Sequence, residues 1–333
     1  MRSTRGLASV LEPVHAAAKQ IAAARSDAIP HRAGSRSAVG GAATSGTPAG
    51  PPSGYILECG SSAGGAAVSV RIDQPSEVGE YDDSMQTLLQ LLWGDGFLSP
   101  GGPEEVARVL EGSDIRGCRV LDIGAGLGAV DQLLVAVHGA AAVVGVDVDP
   151  ALLRQMDARI RQAGLADQVQ GRLVVPGPLP FDAHSFDVVF SKDSIVQIPD
   201  KPALFADLYR VLRPGGRLLA SDWLRGGSGP YSAEMMEFFR LEGIAYNMAS
   251  LEQSAAALRA AGFVDVEVRD RNAWYLGLAE RELASLEGPM RALITERIGA
   301  AKAEHFIANW RQLVLVVRRG ELRPAHLKAV RPA

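Results

Sequence analysis

A chain of 333 residues that is 47% hydrophobic and 22% charged has the composition of a soluble globular protein, long enough for one large domain or two ordinary ones. Its net charge of −4 gives no general electrostatic case for binding nucleic acid, and its two cysteines, Cys59 and Cys118, exclude a disulfide framework and a cysteine-built zinc site. No apolar run approaches the roughly 18 residues needed to cross a bilayer, and the six His residues are scattered without metal-ligand spacing, so neither a membrane span nor a metal is expected.

The first 54 residues stand apart. They are rich in Ala, Gly, Ser and Pro, and Arg2, Arg5, Lys19, Arg25, Arg32 and Arg36 face only Glu12 and Asp27. Large apolar residues are few after Ile29, so burial cannot offset the entropy of ordering the segment. A mostly disordered N-terminal extension over residues 1–77 is expected, with a short helix within 7–24. A basic, acid-poor start also resembles an organelle transit peptide, which would add organelle import to an otherwise cytoplasmic placing. A start codon set too far upstream would give the same composition.

From about Val78 the pattern tightens into a second domain, 78–333. SMQTLLQLLWG reads as a helix with apolar residues at helical spacing. GFLSPGG is a turn-rich link, and PEEVARVLEG is a helix with Pro at its first position and acids in its first turn. RVLDIG is a short buried strand, LGAVDQLLVAVHG a helix, AAVVGVDV a second strand. Residues 149–164 form a helix capped by Asp149 with Pro150 next. QGRLVV and FDVVFS are a third and fourth strand. A helix over DKPALFADLYRVL ends at Pro-Gly-Gly, and RLLASDW is a fifth strand. Helices over about 232–241 and 250–261, a strand FVDVEVRD, helices over roughly 276–316 and a last short strand HLKAVR complete the chain. Strands alternating with helices predict an open, largely parallel α/β sheet with helices on both faces and a helical insertion before the last strand. Such sheets bind ligands beyond the carboxyl ends of their strands. Four polar clusters follow strands here: Gly124–Gly128, Asp147, Ser191–Asp193 and Asp222–Trp223.

VLDIGAGLGAV, residues 120–130, is the strongest motif. Gly124, Gly126 and Gly128 allow a tight strand-to-helix turn and close backbone approach to a ligand. Gly124, Gly126 and Ala129 also fit the looser dinucleotide fingerprint. Two features separate the readings. Asp122, two residues before the first Gly, would repel a pyrophosphate and suit a cationic amino group. LYRVLRPGGRLLASDW, residues 208–223, is the helix–PGG–strand pattern of S-adenosylmethionine methyltransferases. Together they resemble the class I methyltransferase fold, a Rossmann-like sheet, over about residues 80–333. Asp147, with Val148 beside it, ends the second strand, where a carboxylate can accept ribose hydroxyls.

Within that fold, GEYDDSMQTLLQLLWGDGFLSPGG, VLDIGAGLG, FSKDSIVQIPDK and HLKAVRP resemble the phosphoethanolamine N-methyltransferases. The resemblance implies S-adenosylmethionine as cofactor and a small-molecule methyl acceptor. It implies that Ser99, in the turn with Gly101 and Gly102, touches the cofactor together with Asp122, Gly124, Gly126, Gly128, Asp147, Val148 and Ser191. It implies that Tyr81, Asp193 and Gln197 are catalytic, Gln197 by orienting the acceptor through hydrogen bonds, and that Lys192, Trp223, Tyr246, Arg318 and Arg319 serve the acceptor. The departures are specific. Gln197 stands at the family's catalytic His, and an amide cannot take up a proton at neutral pH. The family's adenine-contacting Asp falls at Val175, and its phosphate-binding Arg at Ile244.

Methyl transfer is an in-line displacement in which the enzyme aligns donor and acceptor and excludes water. A base is needed only if the acceptor arrives protonated. The expected activity is therefore methylation of a small polar metabolite: an amine, a phosphobase or a thioether. S-methylation of a methionine-like thioether is the alternative within that class, and a non-catalytic S-adenosylmethionine-binding regulator the alternative outside it. Tyr81, Trp223 and Tyr246 would form a partial aromatic cage around a cationic product. A monomer or weak dimer without nucleic-acid or membrane partners is expected.

Overall fold

The computed structural model describes residues 81–333 apart from residue 245, together with the backbone of residues 55–60 and 67–72. The rest of the expected extension over 1–77 lies outside the described residues. Within it, β1 (Tyr55–Gly60) pairs antiparallel with β2 (Ala67–Ile72), Tyr55 opposite Ile72.

Seven strands make the main sheet: β3 (Arg119–Ile123), β4 (Ala142–Asp147), β5 (Val169–Leu173), β6 (Phe186–Lys192), β7 (Leu212–Arg225), β8 (Val264–Asp270) and β9 (Leu322–Val330). Their order is β5-β4-β3-β6-β7-β9-β8, parallel except for β9, which runs antiparallel to both neighbours. The chain winds outward through β4 and β5, then returns to the other side of β3 with β6. The crevice between the ends of β3 and β6 is the switch point at which such sheets bind ligands. The strand expected over 326–331 is longer, because Pro324 costs it nothing. The Pro324 carbonyl accepts from Arg271 N at 2.8 Å, so its ring nitrogen faces the same side, past the last pair with β8, Asp270–Ala325.

Helices α1 (Asp83–Trp93), α2 (Gly102–Val109), α3 (Ala129–Ala136), α4 (Pro150–Gln162), α5 (Lys201–Val211), α6 (Ala233–Glu242), α7 (Leu251–Ala260), α8 (Asn272–Glu287), α9 (Arg291–Ile298) and α10 (Ala300–Arg318) cover the sheet and build a wall beyond it. Asp149, read as a cap from sequence, accepts from Ala151 N and Leu152 N ahead of Pro150; the structure adds a capping box of Ser250 and Gln253. The stretch read as helical over 276–316 is broken at Gly288 and Gly299, both caps in non-helical conformations.

One apolar core, including Val120, Val143, Phe190 and Met156, lies under α2, α3 and α4. A second, including Leu121, Val189, Phe205 and Leu258, lies under α5 and α7. A third, around Leu88, Phe238, Tyr275, Ile307 and Val317, joins α1, α6, α8, α9 and α10 into the helical wall. Each fully buried side chain of this size stabilises the fold by about 1.5–3 kcal/mol. Together the cores hold the wall rigidly enough to shape a site against the strand ends.

Candidate active site

A pocket with about 680 Å³ of empty space, open solvent included, lies between the helical wall and the strand ends. Tyr81, Ser99, Asp193, Gln197, Trp223 and Tyr246, read separately from sequence, all line it. The reason is topological. Asp193 and Gln197 follow β6, Trp223 sits in β7, and Tyr81 and Ser99 bracket α1.

Asp193 has φ +60°, uncommon for a residue other than glycine, and its N–H donates to Ser221 O at 2.8 Å. Its carboxylate accepts from Ser221 Oγ at 3.0 Å and pairs with Lys192 Nζ at 3.0 Å. Lys192 Nζ also donates to Ser99 Oγ at 2.8 Å and Pro100 O at 2.7 Å. An ammonium has three N–H donors, and all three are used. Lys192 is therefore not the acceptor-binding group expected. It is a buried clamp that ties the 99–100 turn to the end of β6.

Gln197 lies in a single 3₁₀ turn, Ile195–Gln197. That turn is fixed from below. Asp222 Oδ1 accepts from Val196 N at 2.8 Å, and Lys201 Nζ donates to the Ile195 and Ile198 carbonyls, each at 2.6 Å. Burial pushes Asp222 up to about 7 and Lys201 down to about 8, while attraction between the two opposes both shifts. Asn247 Nδ2 donates to Gln197 O at 3.3 Å.

On the cofactor side, Gly124 has φ +79°, and a Cβ there would fall 2.1 Å from Ser194 Oγ. The glycine turn is thus pressed against the loop carrying Asp193. Asp147 Oδ2 accepts from Gly126 N at 2.8 Å and Oδ1 from Asp149 N at 3.0 Å, which locks the turn to the end of β4. Asp122 was expected to face a ligand. The structure buries it to 1% exposure beneath the turn, against Asp131 of α3. Burial, then the negative Asp131 and Asp147, push the Asp122 carboxyl well up. Ser191, also expected at the cofactor, is fully buried and donates to Ile123 O at 3.0 Å, joining β6 to β3. Gly128 caps α3 with φ +80°. Val148 stands 60% exposed beyond β4, beside Leu173 and Val175 at 53% and 77%.

Arg318 and Arg319 do not reach the cavity. They pair on the surface with Glu280 at 2.8 Å and Glu234 at 2.6 Å. The helical wall instead contributes residues that sequence reading passed over: Trp93, Glu242, Phe306, Asn309 and Trp310. Glu282, behind them, accepts from Trp93 Nε1 at 2.6 Å and Trp310 Nε1 at 3.1 Å and so fixes both indoles. Burial raises the Glu282 carboxyl, and the two indole donors partly offset that shift. Trp223 meets Tyr275 edge-to-face at 4.8 Å, and Tyr246 stacks on Phe238 at 6.0 Å. Among the described residues lining this cavity, none is Lys, Arg or His.

Residues 121–220 match the methyltransferase domain family. The stretch includes the glycine turn, Asp147 and Asp193. The chain carries a class I, S-adenosylmethionine-dependent methyltransferase domain. It is similar to phosphoethanolamine N-methyltransferase 1 of Arabidopsis thaliana, with 32% identity over 65% of this chain and 43% of the relative. It is similar to erythromycin 3''-O-methyltransferase of Saccharopolyspora erythraea, with 34% identity over 50% of this chain and 55% of the relative. Phosphoethanolamine N-methyltransferase 2 of Haemonchus contortus, solved with phosphomonomethylethanolamine and S-adenosylhomocysteine, superposes with TM-score 0.70 at 25% identity, covering 76% of this chain and 59% of that one. The chain thus spans less than half the length of the Arabidopsis relative, and its resemblance to the phosphoethanolamine enzymes is confined to that shared domain.

Proposed function

We propose that the protein transfers a methyl group from S-adenosylmethionine to a small organic acceptor that carries no phosphate. The cofactor side of the site fits the donor chemically. Asp147, its carboxylate held by the Gly126 and Asp149 N–H groups, gives it an acceptor that suits a cationic, hydroxyl-bearing ligand. The exposed Val148, Leu173 and Val175 offer a flat base an apolar face. Asp147 would hold the ribose, and the Gly124–Gly128 turn the chain between them. S-adenosylmethionine, when bound, supplies a methyl group on a positively charged sulfur.

The rest is the work of this chain's residues. The clamp of Lys192, Ser99, Asp193 and Ser221 fixes the strand-side floor of the cavity. The aromatic wall excludes water, and Gln197 orients an acceptor through its amide without removing a proton.

The observation that carries the restriction to unphosphorylated acceptors is the lining of the cavity, which holds no Lys, Arg or His among the described residues. A phosphate buried there would lack a cationic partner, and an unpaired buried anion is strongly disfavoured. Ile244, at the place of the family's phosphate-binding Arg, is 6% exposed and lines the cavity as an apolar group. The test supplies pure protein with labelled S-adenosylmethionine and a panel of amines, thioethers and phosphoethanolamine. Transfer to an unphosphorylated member, with phosphoethanolamine the poorer acceptor, is expected. Phosphoethanolamine as the best acceptor, or S-adenosylmethionine binding without transfer to any member, refutes the reading.

A further inference from the structure

The helical wall presents an unmatched set of hydrogen-bond acceptors to the cavity. Glu242, the last residue of α6, accepts from Asn309 Nδ2, and from Tyr246 Oη at 3.3 Å. Both donors are neutral. Asn309, from α10, is 1% exposed and lines the same cavity, and its Oδ1 has no hydrogen-bond partner. Its orientation is fixed by chemistry, since an ionised carboxylate only accepts and the NH₂ end must face it. A buried amide oxygen left without a donor is unfavourable and rare in native proteins. The cavity wall therefore holds two carboxylate oxygens with lone pairs to spare, one orphan amide oxygen buried in the wall, and aromatic faces around them.

We infer that Glu242 and Asn309 form a subsite for a protonated primary amine carried by the acceptor. The inference rests on the methyl-transfer reading of the same cavity. An ammonium of the –NH₃⁺ type has three donors, and the subsite offers three acceptors: the two Glu242 oxygens and Asn309 Oδ1. A quaternary ammonium would leave Asn309 Oδ1 unpaired. A thioether or an alcohol would leave the carboxylate without a counter-charge. Burial raises the Glu242 carboxyl, and the donors Asn309 and Tyr246 and the nearby His305 of α10 pull it back. Tyr275 of α8 and Tyr81 complete the titratable groups around this corner, and burial pushes Tyr246 and Tyr275 well up, so both remain neutral. A bound cation would favour the ionised carboxylate, so binding at mildly acid pH should release a proton from Glu242.

The test is calorimetry on the full chain saturated with S-adenosylhomocysteine. The ligands are a graded series of primary alkyl- and arylalkylamines, their trimethylammonium analogues and their alcohol isosteres, measured in buffers of different ionisation enthalpy. Primary amines should bind best and should release protons below neutral pH. Glu242→Gln, nearly isosteric, should weaken the amines roughly 10- to 100-fold and abolish the proton release, while leaving S-adenosylhomocysteine affinity and melting temperature near those of the parent. Asn309→Leu should lower the preference for primary over trimethylated amines. Equal binding of amines and alcohols, an indifferent Glu242→Gln variant, or no binding by any amine at millimolar concentration overturns the inference. The two readings fail separately. Methyl transfer to neutral acceptors with Glu242→Gln unaffected removes the subsite and leaves the reaction. Amine binding at Glu242 without transfer to any acceptor removes the reaction and leaves the subsite.

Discussion

Replacing Lys192 by Met tests whether the clamp holds the strand side of the site together. The ammonium is 3% exposed and the Asp193 carboxylate 7% exposed, so neither ion recovers solvation if its partner is lost. Removing one member of a buried pair costs about 3–5 kcal/mol, because the other charge stays buried and uncompensated. The Pro100 carbonyl, 2.7 Å from Nζ, loses its donor as well, whereas Ser99 Oγ can rotate toward water. A loss of about 3–5 kcal/mol in urea unfolding is expected. At a denaturant slope of about 3 kcal/mol per molar, the midpoint falls by about 1–2 M. Lys192→Met with Asp193→Asn removes both charges, leaves Ser221 Oγ a neutral acceptor, and should recover more than half of that loss. A single variant within about 1 kcal/mol of the parent, or a double variant no more stable than the single, would refute the clamp.

Asp131→Asn should alter the pH dependence of stability. Its carboxyl is raised to about 7 by burial first and Asp147 second, so the folded state binds this proton more tightly than the unfolded chain, and stability is lost as pH climbs from the unfolded value of 3.8 through about 7. The variant, measured by thermal melts, should gain on the parent by up to about 2–3 kcal/mol between about pH 5 and 8; parallel curves would contradict the assignment. Gly124→Ala places a Cβ 2.1 Å from Ser194 Oγ at φ +79° and should displace the loop bearing Asp193 and weaken S-adenosylmethionine binding at least 10-fold, about 1.4 kcal/mol. Gly215→Ala, with φ +77° and nothing within 4 Å, carries only backbone strain of about 1–2 kcal/mol; equal behaviour of the two would show that close approach at Gly124 is unimportant.

What was legible in sequence follows a physical rule. The sheet order places the carboxyl-end regions of β3, β4, β6 and β7 at one edge, so Gly124, Asp147, Asp193 and Trp223 could be grouped from the strand pattern alone. Tyr81, Ser99, Gln197 and Tyr246 came from a resemblance of segments, and the fold brings them to the same cavity. Charge was harder to read than position. Lys192, Ser191 and Asp122 are polar residues beside a site, but Lys192 spends its donors on a turn, Ser191 on a neighbouring strand, and Asp122 is buried against another carboxyl. Nothing in a linear pattern separates a lysine that faces a ligand from one whose three donors are already taken. Arg318 and Arg319 failed for a related reason: both lie at the end of α10, where surface glutamates from α8 and α6 meet them.

The helical wall was read last because amphipathic spacing absorbs its residues, yet it carried a signal. Phe306, Asn309, Trp310 and Leu313 fall at i, i+3, i+4 and i+7, so Asn309 occupies a core position of an apolar stripe. Tyr275, Ala279, Glu282 and Leu286 form a similar stripe with a carboxylate in it. Glu242 ends α6, where the helix dipole disfavours negative charge. Each residue is locally unfavourable: a polar group where burial is unpaired, or an anion where the field opposes it. Glu282 finds its compensation within the fold, in two indole N–H groups. Glu242 finds only an amide and a phenol, and the amide's own oxygen is left over. A conflict that the fold resolves is architecture. One that it leaves open, at the lip of a cavity without a cation of its own among the described lining residues, is completed by a ligand that brings the charge.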